Sequence, residues 1–192
     1  MLYSKFDLLK VQTEFNLTIQ ETIHFLDKVP SVAPDSLLQE TLKDNIPLAL
    51  AQGNEKARSE WIINPVLTSI RRLADAQISV FSGREFNIDP QRELVGYVDF
   101  LMARSPRLLV LESPIIMMVE AKPENLNAGL GQCAAEMVAA QIFNQRASQR
   151  INDFKGSGDS DNFDDSNKKR LIQHHLSHRF MAVLRMENYG SF

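Results

Sequence analysis

A strand in which every side chain is apolar limits the fold of this chain more than any other feature. Residues 115 to 119 have the sequence Ile-Ile-Met-Met-Val. Because successive side chains of a strand point to opposite faces of a sheet, this run predicts a strand covered on both faces. Glu120, Ala121 and Lys122 follow it directly. The same alternation predicts that Glu120 and Lys122 share one face and that Ala121 lies on the other.

Helical patterns on either side of this strand predict the layers that cover it. Between residues 54 and 77, apolar side chains recur at 63, 66, 67, 70, 73 and 74, which predicts a helix with one buried stripe. Pro65 is expected to kink or restart this helix, with Asn64 as its cap. The alanine-rich segment GLGQCAAEMVAAQIFNQRAS predicts a close-packed helix after Lys122.

Two further strands are predicted between the helices. Their segments are AQISVF and LVGYVDFLMAR, with SGRE as a turn or bulge between them. The pattern of SPRLLVLESP allows a little more strand before the apolar run. The order helix, three strands, helix predicts an α+β or mixed α/β core.

The first fifty residues predict an α-helical extension packed on that core. A short helix ending before Pro30 is indicated by Leu17, Ile19, Ile23, Phe25 and Leu26, and Asp35 or Ser36 is expected to cap a second helix. A length of 192 residues suits one domain, with its core over residues 51–150. Order is expected to fade after about residue 146, and residues 151–192, which contain KGSGDSDNFDDSNKK, predict a poorly ordered linker and tail.

Composition excludes several classes of function. The net charge of −3 gives no polybasic signature for binding nucleic acid or an anionic membrane with the whole surface. A single cysteine, Cys133, excludes an internal disulfide framework and is expected to be a buried small residue. No apolar run has the length of a membrane span, and the N-terminus carries charges where a signal peptide is apolar. We therefore expect a soluble, cytoplasmic protein without a membrane partner.

Acidic residues fall at positions that could meet at one edge of the sheet. Asp99 lies in the middle of a predicted strand, and Glu60 lies three residues before Ile63 on the helical stripe. If Asp99, Glu60 and Glu120 converge, their mutual repulsion favours a divalent cation among them, and hard oxygen ligands favour Mg²⁺, with Mn²⁺ as a substitute. Lys122 would then orient or help deprotonate a water, or neutralise developing charge. Taken singly, each residue is also compatible with a structural role, such as a solvated pair at the sheet rim.

The chain carries, in this order, Glu60, Asp99, Glu120-Ala-Lys122 and Gln132. This ordered set resembles the motif of the PD-(D/E)xK nuclease superfamily, which has the restriction endonuclease-like fold. The segments EKARSEWIINPVL, FSGREFNID, GYVDFLMARSP and VEAKPENLNAGLGQCAAEMVAAQIFN are similar to a group of uncharacterised, largely cyanobacterial proteins assigned to that fold. The likeness covers roughly residues 35 to 146.

The resemblance implies an α/β/α sandwich with a mixed central sheet flanked by helices, and a metal-dependent nuclease that hydrolyses phosphodiester bonds. It implies metal ligation by Asp99, Glu120 and Glu60, a catalytic Lys122, and a Gln132 that supports the ligands or positions phosphate. DNA is favoured over RNA as the nucleic-acid partner, and a homodimer is compatible with the fold. The alternative is a nuclease-fold protein that binds nucleic acid or a partner protein without cleaving it.

The chain departs from the resembled group after the helix that contains Gln132, where those proteins have a further strand of the sheet. The tail HRFMAVLRMENYGSF can be written as an out-of-frame translation of such a strand, a hypothesis that the codons of the gene would decide.

Other signals are weaker: DSDNFDD is expected to be a solvated linker rather than a calcium loop, and His174 and His178 to be exposed. A phosphate-binding rim and ordinary surface charge are equally compatible with Arg71, Arg72, Arg84, Arg104 and Arg107.

Overall fold

The computed structural model describes residues 2–19, 30–122 and 126–156. Within them the chain forms five α-helices and three strands, which we number in chain order. The helices are α1 (Leu8–Phe15), α2 (Ser36–Gln52), α3 (Glu55–Arg58), α4 (Asn64–Leu73) and α5 (Leu126–Gly156). The strands are β1 (Ser79–Glu85), β2 (Tyr97–Ala103) and β3 (Ile115–Val119), and short 3-10 helices lie at Tyr3–Lys5 and Pro90–Arg92.

The three strands form one antiparallel sheet in the order β1-β2-β3. Phe81 pairs with Leu101 on β2, and Leu101 pairs in turn with Met118 on β3. The predicted α+β class is confirmed, whereas the predicted mixed sheet is not found among the described residues, because both strand pairings are antiparallel. The segment SGRE was predicted as a turn or bulge, but it belongs to β1, with Gly83 at φ +57 inside the strand. SPRLLVLESP forms no strand.

Helices cover both faces of the sheet, as the all-apolar run predicted. On one face, Leu101 and Met118 pack against α5 and the N-terminal segment. On the other, Met102 and Val119 pack with Leu67 of α4. Neighbouring residues of β2 and β3 therefore belong to different cores, which is the alternation expected of a strand buried on both sides.

The N-terminal segment is part of the core that contains α5. Tyr3, Phe6 and Val11 are buried there, and the Tyr3 hydroxyl donates a 2.7 Å hydrogen bond to the Phe86 carbonyl. The sequence pattern did not predict α1, which begins at Leu8 because the Asp7 side chain caps it by accepting a bond from the Lys10 N–H. Leu17 and Ile19 follow this helix, while the remaining predicted positions, Ile23, Phe25 and Leu26, lie outside the described residues.

Gly131 of α5 allows this packing. A Cβ at Gly131 would lie 2.3 Å from the carbonyl carbon of Asp7 and 2.4 Å from the Phe6 oxygen. Both are backbone atoms that cannot rotate away. Only a residue without a side chain lets α5 approach the N-terminal segment this closely.

A π-helical turn, Ser59–Ile63, joins α3 and α4 into one continuous helix. Pro65 was predicted to kink or restart the helix with Asn64 as its cap, but Asn64 has helical dihedrals and caps nothing. Proline at 65 has no N–H for the carbonyl four residues earlier, and its ring crowds that carbonyl. The Trp61 carbonyl accepts instead a 2.9 Å hydrogen bond from the side-chain amide of Asn45 on α2.

The ends of the longer helices agree with the sequence in part. Asp35 caps α2 as expected, accepting a 2.7 Å bond from the Leu38 N–H, and its carboxylate also pairs with Arg72 on α4. Gly53 ends α2 at φ +61. The last helix was expected to lose order after about residue 146, but α5 continues to Gly156. No helix in the described part of the chain is long and apolar enough to cross a membrane.

Candidate metal centre

The ends of β2 and β3 bring Asp99 and Glu120 together. Asp99 lies on β2 and accepts a 2.8 Å hydrogen bond through Oδ2 from the Ala121 N–H, just after β3. This bond fixes the Asp99 carboxylate beside the Glu-Ala-Lys segment. Ala121 is buried in the core beside α4, and Glu120 and Lys122 point to the opposite face, as the alternation predicted.

Glu55, at the start of α3, supplies a third carboxylate. One oxygen from each of Glu55, Asp99 and Glu120 lies within 4.8 Å of the other two, and all three side chains are partly buried. Among the described residues, this is the group of acidic side chains with the spacing of a metal site. We call Glu55, Asp99 and Glu120 the carboxylate triad.

Glu60, the residue that the sequence analysis selected from this helix, lies outside the triad. Its side chain is 55% exposed and pairs with Lys56 at 2.7 Å. The selection counted back from Ile63 at the spacing of an α-helix, but residues of a π-helical turn advance by a smaller angle than the roughly 100° of an α-helix. The π-helical turn Ser59–Ile63 therefore changes which glutamate faces the sheet, and Glu55 occupies that position.

The Lys122 ammonium lies among these carboxylates. Its Nζ is 2.5 Å from Glu120 Oε1 and 4.0 Å from Glu55 Oε2. Burial alone would lower the pKa of Lys122, but the hydrogen bond that it donates to Glu120 and the charges of Glu120, Glu55 and Asp99 raise it above its usual value. Lys122 is therefore a fixed cation at neutral pH.

Glu120 is held in a site that disfavours its charge. Its side chain is 5% exposed, and in the part of the chain that the structure describes its Oε2 has no hydrogen-bond partner. Burial raises the pKa of Glu120, the bond from Lys122 lowers it, and the Asp99 and Glu55 carboxylates raise it, with a net shift upward. A cation near the triad would relieve this strain by neutralising the repulsion.

Sequence reasoning missed a fourth carboxyl group, that of Glu136 on α5. Glu136 is completely buried, and its Oε1 accepts a 3.1 Å hydrogen bond from Gln132 Nε2, one helical turn earlier. Burial first, and then the Glu120 and Asp99 carboxylates, raise the pKa of Glu136. The available signal was the i, i+4 spacing of Gln132 and Glu136, which places Glu136 next to a residue already selected.

Cys133 lies in the same helix and is buried, as predicted. Burial, together with the Glu136 and Glu120 carboxyl groups, raises the pKa of its thiol to about 12. Because only the thiolate reacts with alkylating agents, we expect no modification of native protein by iodoacetamide at pH 8 and complete modification in urea. Intact mass would measure both, and rapid alkylation of the native protein would show that this face of α5 opens to solvent.

Three of the five arginines considered for a phosphate-binding rim contact other side chains of the fold. Arg72 pairs with Asp35 at 3.1 Å, Arg107 pairs with Glu112 at 3.0 Å, and the Arg84 guanidinium lies 4.8 Å from the centre of the Phe81 ring. These three are engaged within the fold rather than gathered as a free cationic rim. The segment DSDNFDD and the histidines His174 and His178 lie outside the described residues.

Comparison of the chain with family models, with curated proteins and with solved structures gave no match. The geometry of the carboxylate triad, Lys122 and Glu136 therefore carries the functional argument.

Proposed function

We infer that the chain is a metal-dependent nuclease that hydrolyses phosphodiester bonds, with DNA as the favoured substrate. One observation carries this proposal: three carboxylates from α3, β2 and the end of β3 converge within 4.8 Å, beside a partly buried lysine. Clustering of like charges is costly unless a cation joins them, so the arrangement favours cation binding over a purely structural role.

The residues of the triad fit Mg²⁺, or Mn²⁺ in its place. All three ligands offer carboxylate oxygen, which hard divalent cations prefer, and Mg²⁺ is commonly held by one or two carboxylates together with water and substrate phosphate. Glu120 Oε2, buried and without a hydrogen-bond donor, is an oxygen that such a cation would satisfy. A cation bound here supplies Lewis-acid polarisation of the phosphate and a more acidic bound water.

Lys122 acts in this proposal as a fixed positive charge. The surrounding carboxylates raise the pKa of Lys122, which favours the ammonium over the neutral amine that a general base requires. Its ammonium can instead hold a phosphate oxygen and stabilise the charge that builds up on it during attack. Gln132 donates its amide to Glu136, so its proposed part is to fix that carboxyl group rather than to contact phosphate.

The fold supports the same proposal in part. A sheet with helices on both faces, and acidic residues at the ends of two neighbouring strands, is the arrangement that the PD-(D/E)xK resemblance implies. The mixed sheet of the restriction endonuclease-like fold would need at least one parallel strand beyond the three described. A fold hosts many functions, so the activity needs its own test.

The test is incubation of purified protein with supercoiled plasmid and with single-stranded DNA, in Mg²⁺, in Mn²⁺ and in EDTA. Lys122→Met is the informative variant, because it keeps an unbranched apolar stem and removes the charge. Lys56→Met is its control, since Lys56 is 82% exposed and pairs only with Glu60 among the contacts described. We expect metal-dependent cleavage by wild type and Lys56→Met and its loss in Lys122→Met. Binding of DNA without cleavage in any of these conditions would favour the non-cleaving alternative.

Glu55 and Glu60 provide a matched pair for the helix ligand. Glu55→Gln is expected to weaken Mn²⁺ binding and to lower the cleavage rate by more than the ~10- to 100-fold that loss of an outer partner costs, because it removes one carboxylate of the triad. Glu60→Gln is expected to change neither, since its carboxylate faces solvent and Lys56. Cleavage rates over a range of Mn²⁺ concentrations measure both effects. The opposite ranking would show that the helix ligand is Glu60.

Gly129 tests how closely Lys122 must be positioned. A Cβ at Gly129 would lie 2.8 Å from Lys122 Cγ and 3.0 Å from Cε, so alanine would push the lysine stem away from its place. We expect Gly129→Ala to lower cleavage about 10- to 100-fold, as misplacement of a reacting group does. Its melting temperature should be near that of wild type, because alanine favours the helix and the lysine is flexible. Full activity in this variant would mean that Lys122 need not keep its present position.

A further inference from the structure

Two buried carboxyl oxygens at or beside the triad have no hydrogen-bond donor among the described residues. They are Glu120 Oε2 and Glu136 Oε2. The two carboxyl groups contact each other, yet as carboxylates neither has a hydrogen to offer. A pair of this kind is costly to bury unless something positive lies between its members.

Glu136 does not share a cation with the whole triad. The group of acidic residues whose oxygens lie within 4.8 Å of one another contains Glu55, Asp99 and Glu120 but not Glu136. Glu136 therefore approaches Glu120 from α5, whereas Asp99 approaches it from β2 and Glu55 from α3. Glu120 is the residue common to both groupings.

We propose that Glu120 and Glu136 form a second divalent-cation position, adjacent to the triad and sharing Glu120 with it. This rests on the proposed function, which makes the triad the first cation position. Four carboxyl groups gather here around one ammonium, that of Lys122, and one divalent cation at the triad leaves Glu136 facing Glu120 without compensation. Gln132 is half-buried and bonds Glu136 through its Nε2, which leaves its Oε1 as the amide atom that could offer a third oxygen.

The competing occupant is a proton shared between Glu120 and Glu136. A proton would satisfy both oxygens without any metal, and it would leave the chain with a single cation position. The two occupants differ in a countable quantity, which is the number of divalent cations bound per chain at saturation.

The experiment is a titration of metal-free full-length chain with Mn²⁺, in which free Mn²⁺ is measured by electron paramagnetic resonance. We expect two Mn²⁺ per wild-type chain, two for the control Glu60→Gln and one for Glu136→Gln. The glutamine has the shape of Glu136 and retains an oxygen that can accept the bond from Gln132. The number of Mn²⁺ ions bound per wild-type chain tests the proposal without any variant, so the test remains valid even if Glu136→Gln fails to fold.

One Mn²⁺ in wild type would overturn the second position, as would an unchanged count of two in Glu136→Gln. The proposed function is tested separately by cleavage of plasmid in the same samples. Two bound Mn²⁺ without cleavage would support the second position and refute the nuclease. Metal-dependent cleavage with one bound Mn²⁺ would support the nuclease and refute the second cation position.

Discussion

Replacing Asp99 with asparagine is expected to abolish metal-dependent cleavage while leaving the chain folded. Asparagine can still accept the 2.8 Å hydrogen bond from the Ala121 N–H, so the link between β2 and the end of β3 remains. What it loses is the negative charge beside Glu55 and Glu120. Loss of a direct metal ligand should lower the rate by more than the ~10- to 100-fold that loss of an outer partner costs.

The same variant separates a role in metal binding from a role in stability. Without metal, Asp99→Asn should melt at the wild-type temperature or above it, because one carboxylate no longer repels Glu120. Added Mg²⁺ should raise the melting temperature of wild type, since a cation that binds only the folded state stabilises it by mass action. That increase should be lost in Asp99→Asn.

A surface aspartate gives the control for this substitution. Asp75 is exposed and lies at φ +48, a conformation that asparagine tolerates well. Asp75→Asn should keep both cleavage and the Mg²⁺-dependent gain in melting temperature. Retention of both properties in Asp99→Asn would instead remove Asp99 from the metal site.

Gly131→Ala is expected to be the most destabilising of the conservative substitutions considered. The new methyl group would lie 2.3 Å from the Asp7 carbonyl carbon, so α5 or the N-terminal segment must move. Neither moves freely, because Phe6 is buried and the Asp7 side chain caps α1. Overpacking of this kind costs about 1–3 kcal/mol, an amount larger than the roughly 1 kcal/mol that alanine contributes to a helix.

Urea unfolding of Gly131→Ala and Gly129→Ala measures this effect against a matched control. The two substitutions are chemically identical and lie two residues apart on α5, but Gly129 faces the side chain of Lys122 rather than backbone. Gly131→Ala should unfold at clearly lower urea, with Gly129→Ala close to wild type. Equal midpoints for Gly131→Ala and wild type would show that the N-terminal segment does not pack as described.

The parts of the site that lie on strands could be predicted because strand geometry is local. A period of two is enough to place Glu120 and Lys122 on one face, and the apolar run is enough to require cover on both faces. The prediction of a turn or bulge at SGRE was wrong for the opposite reason. Its residues have weak strand propensity, but β2 offers them pairing partners as far as Glu85 opposite Tyr97.

The third carboxylate of the triad, that of Glu55, could not be predicted from spacing alone. The direction in which the side chains between Glu55 and Ile63 point depends on a π-helical turn. That turn lies just before Pro65, and the Trp61 carbonyl within it accepts a hydrogen bond from Asn45 of α2. Glu136 was missed for a related reason. In the sequence Glu136 is one glutamate among the alanines of a close-packed helix. Its burial against Glu120 is visible only in the structure.

The packing of Tyr3 and Phe6 against α5 has a consequence for how the chain folds during synthesis. The residues that meet at Gly131 are separated by more than a hundred positions, so the N-terminal segment leaves the ribosome well before the helix that it packs against. At about 5–20 residues per second, that delay is on the order of ten seconds. Until α5 is made, the apolar side chains of the N-terminal segment lack the surface they will bury, and long-range closure of this kind slows folding.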